Sequence, residues 1–96
     1  MDDLTLGFTK HAREKLSVRQ ISLKTVKEVL NNPHHSFYDT ITGLEVAAKG
    51  LTFRGQVTTL VVIYLRSGNE YRVITVYPTK NFENEADRKV KSLSQK

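Results

Sequence analysis

The sequence contains no cysteine, no long apolar run, no internal repeat and no low-complexity linker. Without cysteine there are neither disulfides nor thiolate metal sites to hold the fold, a composition that fits a reducing compartment. The longest apolar stretch, Leu60 to Leu65, is far too short to cross a bilayer. The opening, Met1 to Phe8, carries two acids and no apolar run, so it does not read as a secretory leader. A cytoplasmic protein without membrane association is the expectation. Glycine-rich phosphate loops, the G-x-S-x-G elbow and the dinucleotide fingerprint are also absent, which sets aside kinases, serine hydrolases and dinucleotide enzymes.

What is present is globular in balance: 39% hydrophobic and 26% charged residues over 96 positions. That length suits one domain, 1–96, with a core that is small but sufficient without staples. The formal net charge is +5, and its placement says more than its size. Lys10, Arg13, Lys15, Arg19, Lys24 and Lys27 face only Glu14 within their span, so this segment carries an excess equal to that of the whole chain. Such a segment attracts phosphate backbones or an acidic protein partner before any specific contact forms, though a solvated helix face has the same composition.

Periodicity divides the chain into elements. Leu4, Leu6 and Phe8 alternate as in a short strand. Thr9 is placed to cap a helix running to about Ser17, with Ala12 and Leu16 on its narrow apolar stripe. Ser22 caps a second helix through about Leu30, burying Leu23, Val26, Val29 and Leu30; Asn31, Asn32 and Pro33 end it. Strands are then expected at 35–41, 44–53, 57–65 and 70–77, separated by turns at Thr42-Gly43, Arg54 to Gln56 and Arg66 to Asn69. Leu60-Val61-Val62-Ile63 is apolar on both faces, so its strand should be central. The alternation changes phase near Lys49-Gly50, which suggests a bulge. The tail, 81–96, suits either a short helix with Ala86, Val90 and Leu93 inward or a flexible end. The fold expected is α+β, with two N-terminal helices packed on an antiparallel sheet in the order β-α-α-β-β-β-β and an optional C-terminal helix.

Several residues offer chemistry. His11 falls in the first turn of the first helix, where unpaired backbone N–H groups and the positive dipole end disfavour a cationic ring. A neutral imidazole is the form a general base requires. Lys15 follows one turn later and Arg19 two turns later, a face that suits a phosphate beside a proton-transfer group. A histidine here also serves simply as a packing residue. In the last strand, strict alternation places Tyr71, Val73, Thr75 and Tyr77 on one face and Arg72, Ile74 and Val76 on the other. Thr75 and Tyr77 offer hydroxyls to a phosphate or ribose, and Tyr77 a ring to a base, while both are also ordinary strand formers. His34, His35 and Asp39 invite a metal reading, but adjacent strand histidines point to opposite faces and chelate poorly. No metal and no cofactor are expected.

Phe8-Thr9-Lys10-His11-Ala12-Arg13-Glu14-Lys15-Leu16, then Arg19-Gln20-Ile21-Ser22, Val26 and Asn31-Asn32-Pro33, resemble the opening signature of the bacterial family called domain of unknown function 4258. Val73-Ile74-Thr75-Val76-Tyr77-Pro78-Thr79 resembles its closing signature. That family is similar in topology to the RelE and ParE toxins. The resemblance implies metal-independent RNA cleavage and pairing with a small acidic antitoxin. It also implies His11 and Tyr77 as catalytic residues, with Arg13, Lys15, Arg19 and Thr75 contacting substrate. A non-catalytic basic module that binds an acidic protein or nucleic acid is the alternative, and a ParE-like inhibitor that cuts nothing is a third.

Overall fold

The computed structural model describes residues 5–53 and 55–80. Along the chain these form β1 (Thr5–Phe8), α1 (Lys10–Arg19), α2 (Leu23–Asn31), β2 (His35–Tyr38), β3 (Glu45–Phe53), β4 (Gln56–Ser67) and β5 (Glu70–Thr79). The class is α+β and the element order is the one expected. The helix or tail expected at 81–96 lies outside the described residues.

Both helices start where hydroxyl side chains satisfy free N–H groups. Thr9 accepts from the Ala12 N–H and Ser22 from the Thr25 N–H. α1 extends two residues beyond the expected Ser17 and stops at Gln20, whose φ of 56° lies in the left-handed region. The Gln20 N–H bonds to Ser17 O, and the Ile21 N–H to Leu16 O. This is the Schellman arrangement that closes helix ends, here without the usual glycine. α2 is strongly amphipathic, burying Val26, Val29 and Leu30, whereas α1 fully buries Ala12 alone. The position of α1 therefore owes as much to its end contacts as to an apolar stripe.

The five strands form one sheet in the order β1-β5-β4-β3-β2. β2 to β5 are antiparallel neighbours as expected, but β1 runs parallel to β5, so the sheet is mixed. A parallel pair needs a crossover, and the two helices supply the start of it. The apolar segment of β4 does occupy the centre. Ser67 and Glu70 are joined through Gly68 and Asn69, with Gly68 at φ 60°. That left-handed residue is what a two-residue hairpin loop requires.

One face of the sheet packs against the helices. Leu60, Val62, Tyr64, Ala47, Val73 and Val76 join Ala12, Val26, Val29 and Leu30 in the main core cluster. On the other face Val46, Ala48 and Val61 form a second cluster, with Phe37, Ile63 and Tyr77 against it. This two-sided burial corrects the bulge expected at Lys49-Gly50. β3 pairs with β4 in unbroken register from Glu45↔Tyr64 to Phe53↔Gln56. Ala47 and Ala48 are both buried, one on each face, so the hydrophobic pattern lost its period without any extra residue. Lys49 lies on the helix side, where its Nζ donates to Asn32 O at 2.9 Å and pairs with Glu28 at 3.4 Å. A cation there complements the negative end of α2.

Candidate functional site at the edge of the sheet

A register shift lies between β4 and β5. Tyr64 faces Val73 and Ile63 faces Thr75, so Ile74 has no partner on β4 and forms a bulge. Its consequence is a change of face. Tyr71, Val73 and Val76 all belong to the helix-side core, whereas Tyr77 packs on the far side with Val61. Thr75, opposite Ile63, shares that far side. The strict alternation expected for this strand is thus broken: Thr75 and Tyr77 stay together, but Tyr71 and Val73 lie on the opposite face from them.

The bulge is also where α1 begins. Pairing between β1 and β5 ends at Phe8↔Val73. Beyond it, the Thr9 N–H bonds to Val73 O and the Thr9 hydroxyl donates to Ile74 O, each at 3.1 Å. Thr9 therefore caps the helix with its oxygen and ties it to β5 with its hydrogen. This places exposed His11 at the sheet edge, with Nε2 3.3 Å from the Thr75 hydroxyl. That contact, across 64 residues of sequence, is slightly longer than a tight hydrogen bond. Either atom can donate, depending on the ring tautomer.

The remaining expected site residues divide between two flanks of α1. Lys15, four residues after His11, is partly buried on the same flank. Arg19 donates from Nη1 to Val76 O at 3.1 Å, so its guanidinium also reaches β5. Arg13 is about 200° round the helix from His11 and lines a different feature, described below. Tyr77 lies two residues beyond Thr75 on the same face, with its ring on the Val46, Ala48 and Val61 cluster. The structure thus joins His11 to Thr75, brings Arg19 to the neighbouring Val76, and separates Arg13 from His11.

Of the residues considered for a metal, the side chains of His34 and Asp39 are engaged with the backbone. His34 Nδ1 accepts from the Gly50 N–H at 3.1 Å, extending the β2–β3 ladder by one side-chain bond. His35 pairs with Ala48 in that ladder. Asp39 Oδ1 accepts from the Ile41 N–H at 2.9 Å and the Thr42 N–H at 3.4 Å, closing the turn between β2 and β3. Among the described residues, no three His, Asp or Glu side chains gather closely enough to hold a metal ion.

Two features escaped the sequence pattern. One is a stacked pair, Tyr64 and Tyr71, with ring centroids 5.1 Å apart, the Arg66 guanidinium over Tyr71, and Tyr64 OH donating to Glu45 at 3.2 Å. Burial, reinforced by the Glu45 carboxylate, pushes the Tyr64 hydroxyl well above its ordinary titration range. The other is an open groove of about 550 Å³ beside α1 and β1. Leu6, Phe8, Leu16, Ile21 and Leu23 give it an apolar lining, with Arg13 and Ser17 on its α1 side. The helical period assigns Leu23 to the buried face of α2, whereas it is 54% exposed and lines this groove, because it opens the helix beyond the part of that face that the sheet covers.

The fold and the edge site define a small α+β domain: two helices cover one side of a mixed sheet, and a histidine on the first reaches the last strand. The chain belongs to the family described as Domain of unknown function (DUF4258), whose profile matches residues 8–78. The matched span runs from Phe8, beside the α1 cap, to Pro78 in β5, and so contains both sides of the His11–Thr75 contact. Neither a curated protein nor a solved structure matches the chain.

Proposed function

We propose that this domain is a toxin-like, metal-independent endoribonuclease of the RelE/ParE type, acting in the cytoplasm and held in check by a small acidic antitoxin. The observation that carries the reading is the 3.3 Å approach of His11 Nε2 to Thr75 Oγ1. A purely basic binding face would have no need to bring the histidine to the last strand. In the proposed reaction His11 takes the proton of a ribose 2′-hydroxyl as that oxygen attacks the adjacent phosphorus. Tyr77 returns a proton to the departing 5′-oxygen, leaving a 2′,3′-cyclic phosphate on one fragment and a 5′-hydroxyl on the other. Lys15 and Arg19 stabilise the negative charge that builds on the phosphorane, and the Thr75 hydroxyl orients the imidazole or the phosphate. Arg13, on the other flank, contacts RNA further along the strand. No helix among the described residues is long and apolar enough to cross a membrane.

A non-catalytic basic binding module is the competing reading. It is favoured by the engagement of Arg19 with Val76 O, which gives that cation a structural task. Induced expression of the wild type beside His11→Ala, Thr75→Val and Tyr77→Phe decides between the two, with growth and total RNA followed on the same cultures. The nuclease reading expects arrest and RNA cleavage by the wild type. It further expects His11→Ala, still folded by circular dichroism, to lose about 10²–10⁴-fold in cleavage. Normal growth and intact RNA with a well-folded wild type would establish the binding module instead.

A further inference from the structure

We infer that the groove between α1 and β1 is a docking site for an acidic, amphipathic segment of a partner protein. Its volume of about 550 Å³ is in the range of sites that enclose several side chains. The lining supplies apolar contacts from Leu6, Phe8, Leu16 and Leu23, and Leu23 is 54% exposed as it stands. The charged residue of the lining is Arg13. Lys10 shares the same flank of α1 three residues earlier, with Glu14 one turn after it. Lys27 follows Leu23 by one turn on α2. Glu28, the acid of α2, is turned to Lys49 and does not offset these cations. The complement is a segment whose apolar side chains enter the groove while carboxylates meet Arg13, Lys10 and Lys27.

Other occupants fit less well. A second copy of this chain, itself at +5, would set cations against cations. Nucleic acid needs polar groups for sugars and bases, and the lining offers only Arg13 and Ser17. A bilayer surface is too broad to enter the concavity. The groove and the His11–Thr75 edge lie on different flanks of α1, so this inference stands independently of the RNA-cleavage reading.

The test is selection of random displayed peptides on the folded domain, followed by mapping the enriched peptides by amide chemical shift. The expected sequences are net acidic with apolar residues at helical or alternate spacing, and their shifts centre on Leu6, Phe8, Leu16 and Leu23. Arg13→Glu weakens them by roughly tenfold or more, as does raised salt. Leu23→Asp, at a half-exposed position, does the same without touching His11 or Thr75. Enrichment of neutral or basic peptides, shifts elsewhere, no enrichment, or full affinity in Arg13→Glu would each overturn the proposal. Cleavage of RNA by a protein that selects no such peptides would leave the RNA-cleavage reading intact and remove this one.

Discussion

Arg19, the last residue of α1, donates from Nη1 to the carbonyl oxygen of Val76, 57 residues along the chain, at 3.1 Å. The contact lies where β5 has lost β1 as a partner. Together with the two bonds from Thr9 to Val73 and Ile74, it lets a helix with almost no apolar face hold the end of a sheet. His11 is presented to Thr75 because both ends of α1 are fastened in this way.

Removing the guanidinium should therefore loosen the helix before it affects any chemistry. Arg19→Ala is expected to cost about 1–2 kcal/mol, toward the lower end of a charge-assisted bond because the side chain is only partly buried. Arg19→Lys should recover part of this, since a lysine donates but lacks the planar fork. Denaturant unfolding of the three proteins measures it. Equal midpoints would show that the Val76 contact contributes nothing to stability.

Gln20 holds a left-handed φ of 56° that a residue with a Cβ adopts at a cost. Gln20→Gly removes that cost and adds freedom to the unfolded chain, with a net gain of about 0.5–1 kcal/mol. The Schellman bonds of Gln20 and Ile21 to Ser17 and Leu16 are backbone bonds and survive the change. A rise in the melting temperature checks the prediction, and a fall would mean that the glutamine side chain outweighs the backbone strain.

Asp39 is the residue through which acid should act on the β2–β3 turn. The Ile41 N–H, with smaller contributions from Thr42, holds its carboxyl below the usual carboxylate range. Its stabilising effect is therefore complete above the unfolded value of about 3.9 and is lost as pH falls through the lower folded value. Amide exchange at Ile41 and Thr42 should accelerate below that point, while Asp39→Asn keeps an acceptor and flattens the dependence. Exchange at Ile41 that tracks global unfolding at every pH would contradict the local account.

Tyr64 predicts the opposite end of the pH range. Burial raises its titration first, and the Glu45 carboxylate raises it further. The stability linked to it is present below the ordinary tyrosine value of about 10 and disappears as pH rises through the folded value. In an alkaline titration one tyrosine should ionise only as the fold is lost, and Glu45→Gln should lower the pH at which it does. Simultaneous ionisation of every tyrosine while the fold persists would refute this.

Local rules were enough for most of the elements. Thr9 and Ser22 mark the helix starts because a hydroxyl there satisfies free N–H groups whatever surrounds it. The apolar run at Leu60 to Ile63 identifies the central strand because only burial on both faces tolerates it. Those same rules misplaced the bulge. Where β3 is covered on both sides, Ala47 and Ala48 are equally buried and hydrophobicity no longer reports the face. At Ile74 the alternation looked regular, and only the pairing of its neighbours Val73 and Thr75 with Tyr64 and Ile63 reveals the extra residue.

By itself, then, the sequence determined the α+β class, the order of elements, the helix caps and the concentration of positive charge in the two helices. Each depends on neighbours a few residues apart. Tertiary structure alone decided that β1 lies parallel to β5, that the bulge turns Thr75 and Tyr77 away from Tyr71 and Val73, and that His11 meets Thr75 while Arg13 faces a groove. The β1–β5 pairing and the His11–Thr75 contact join residues some 60 positions apart, and distance along a chain does not encode contact across it until the sheet has set its register.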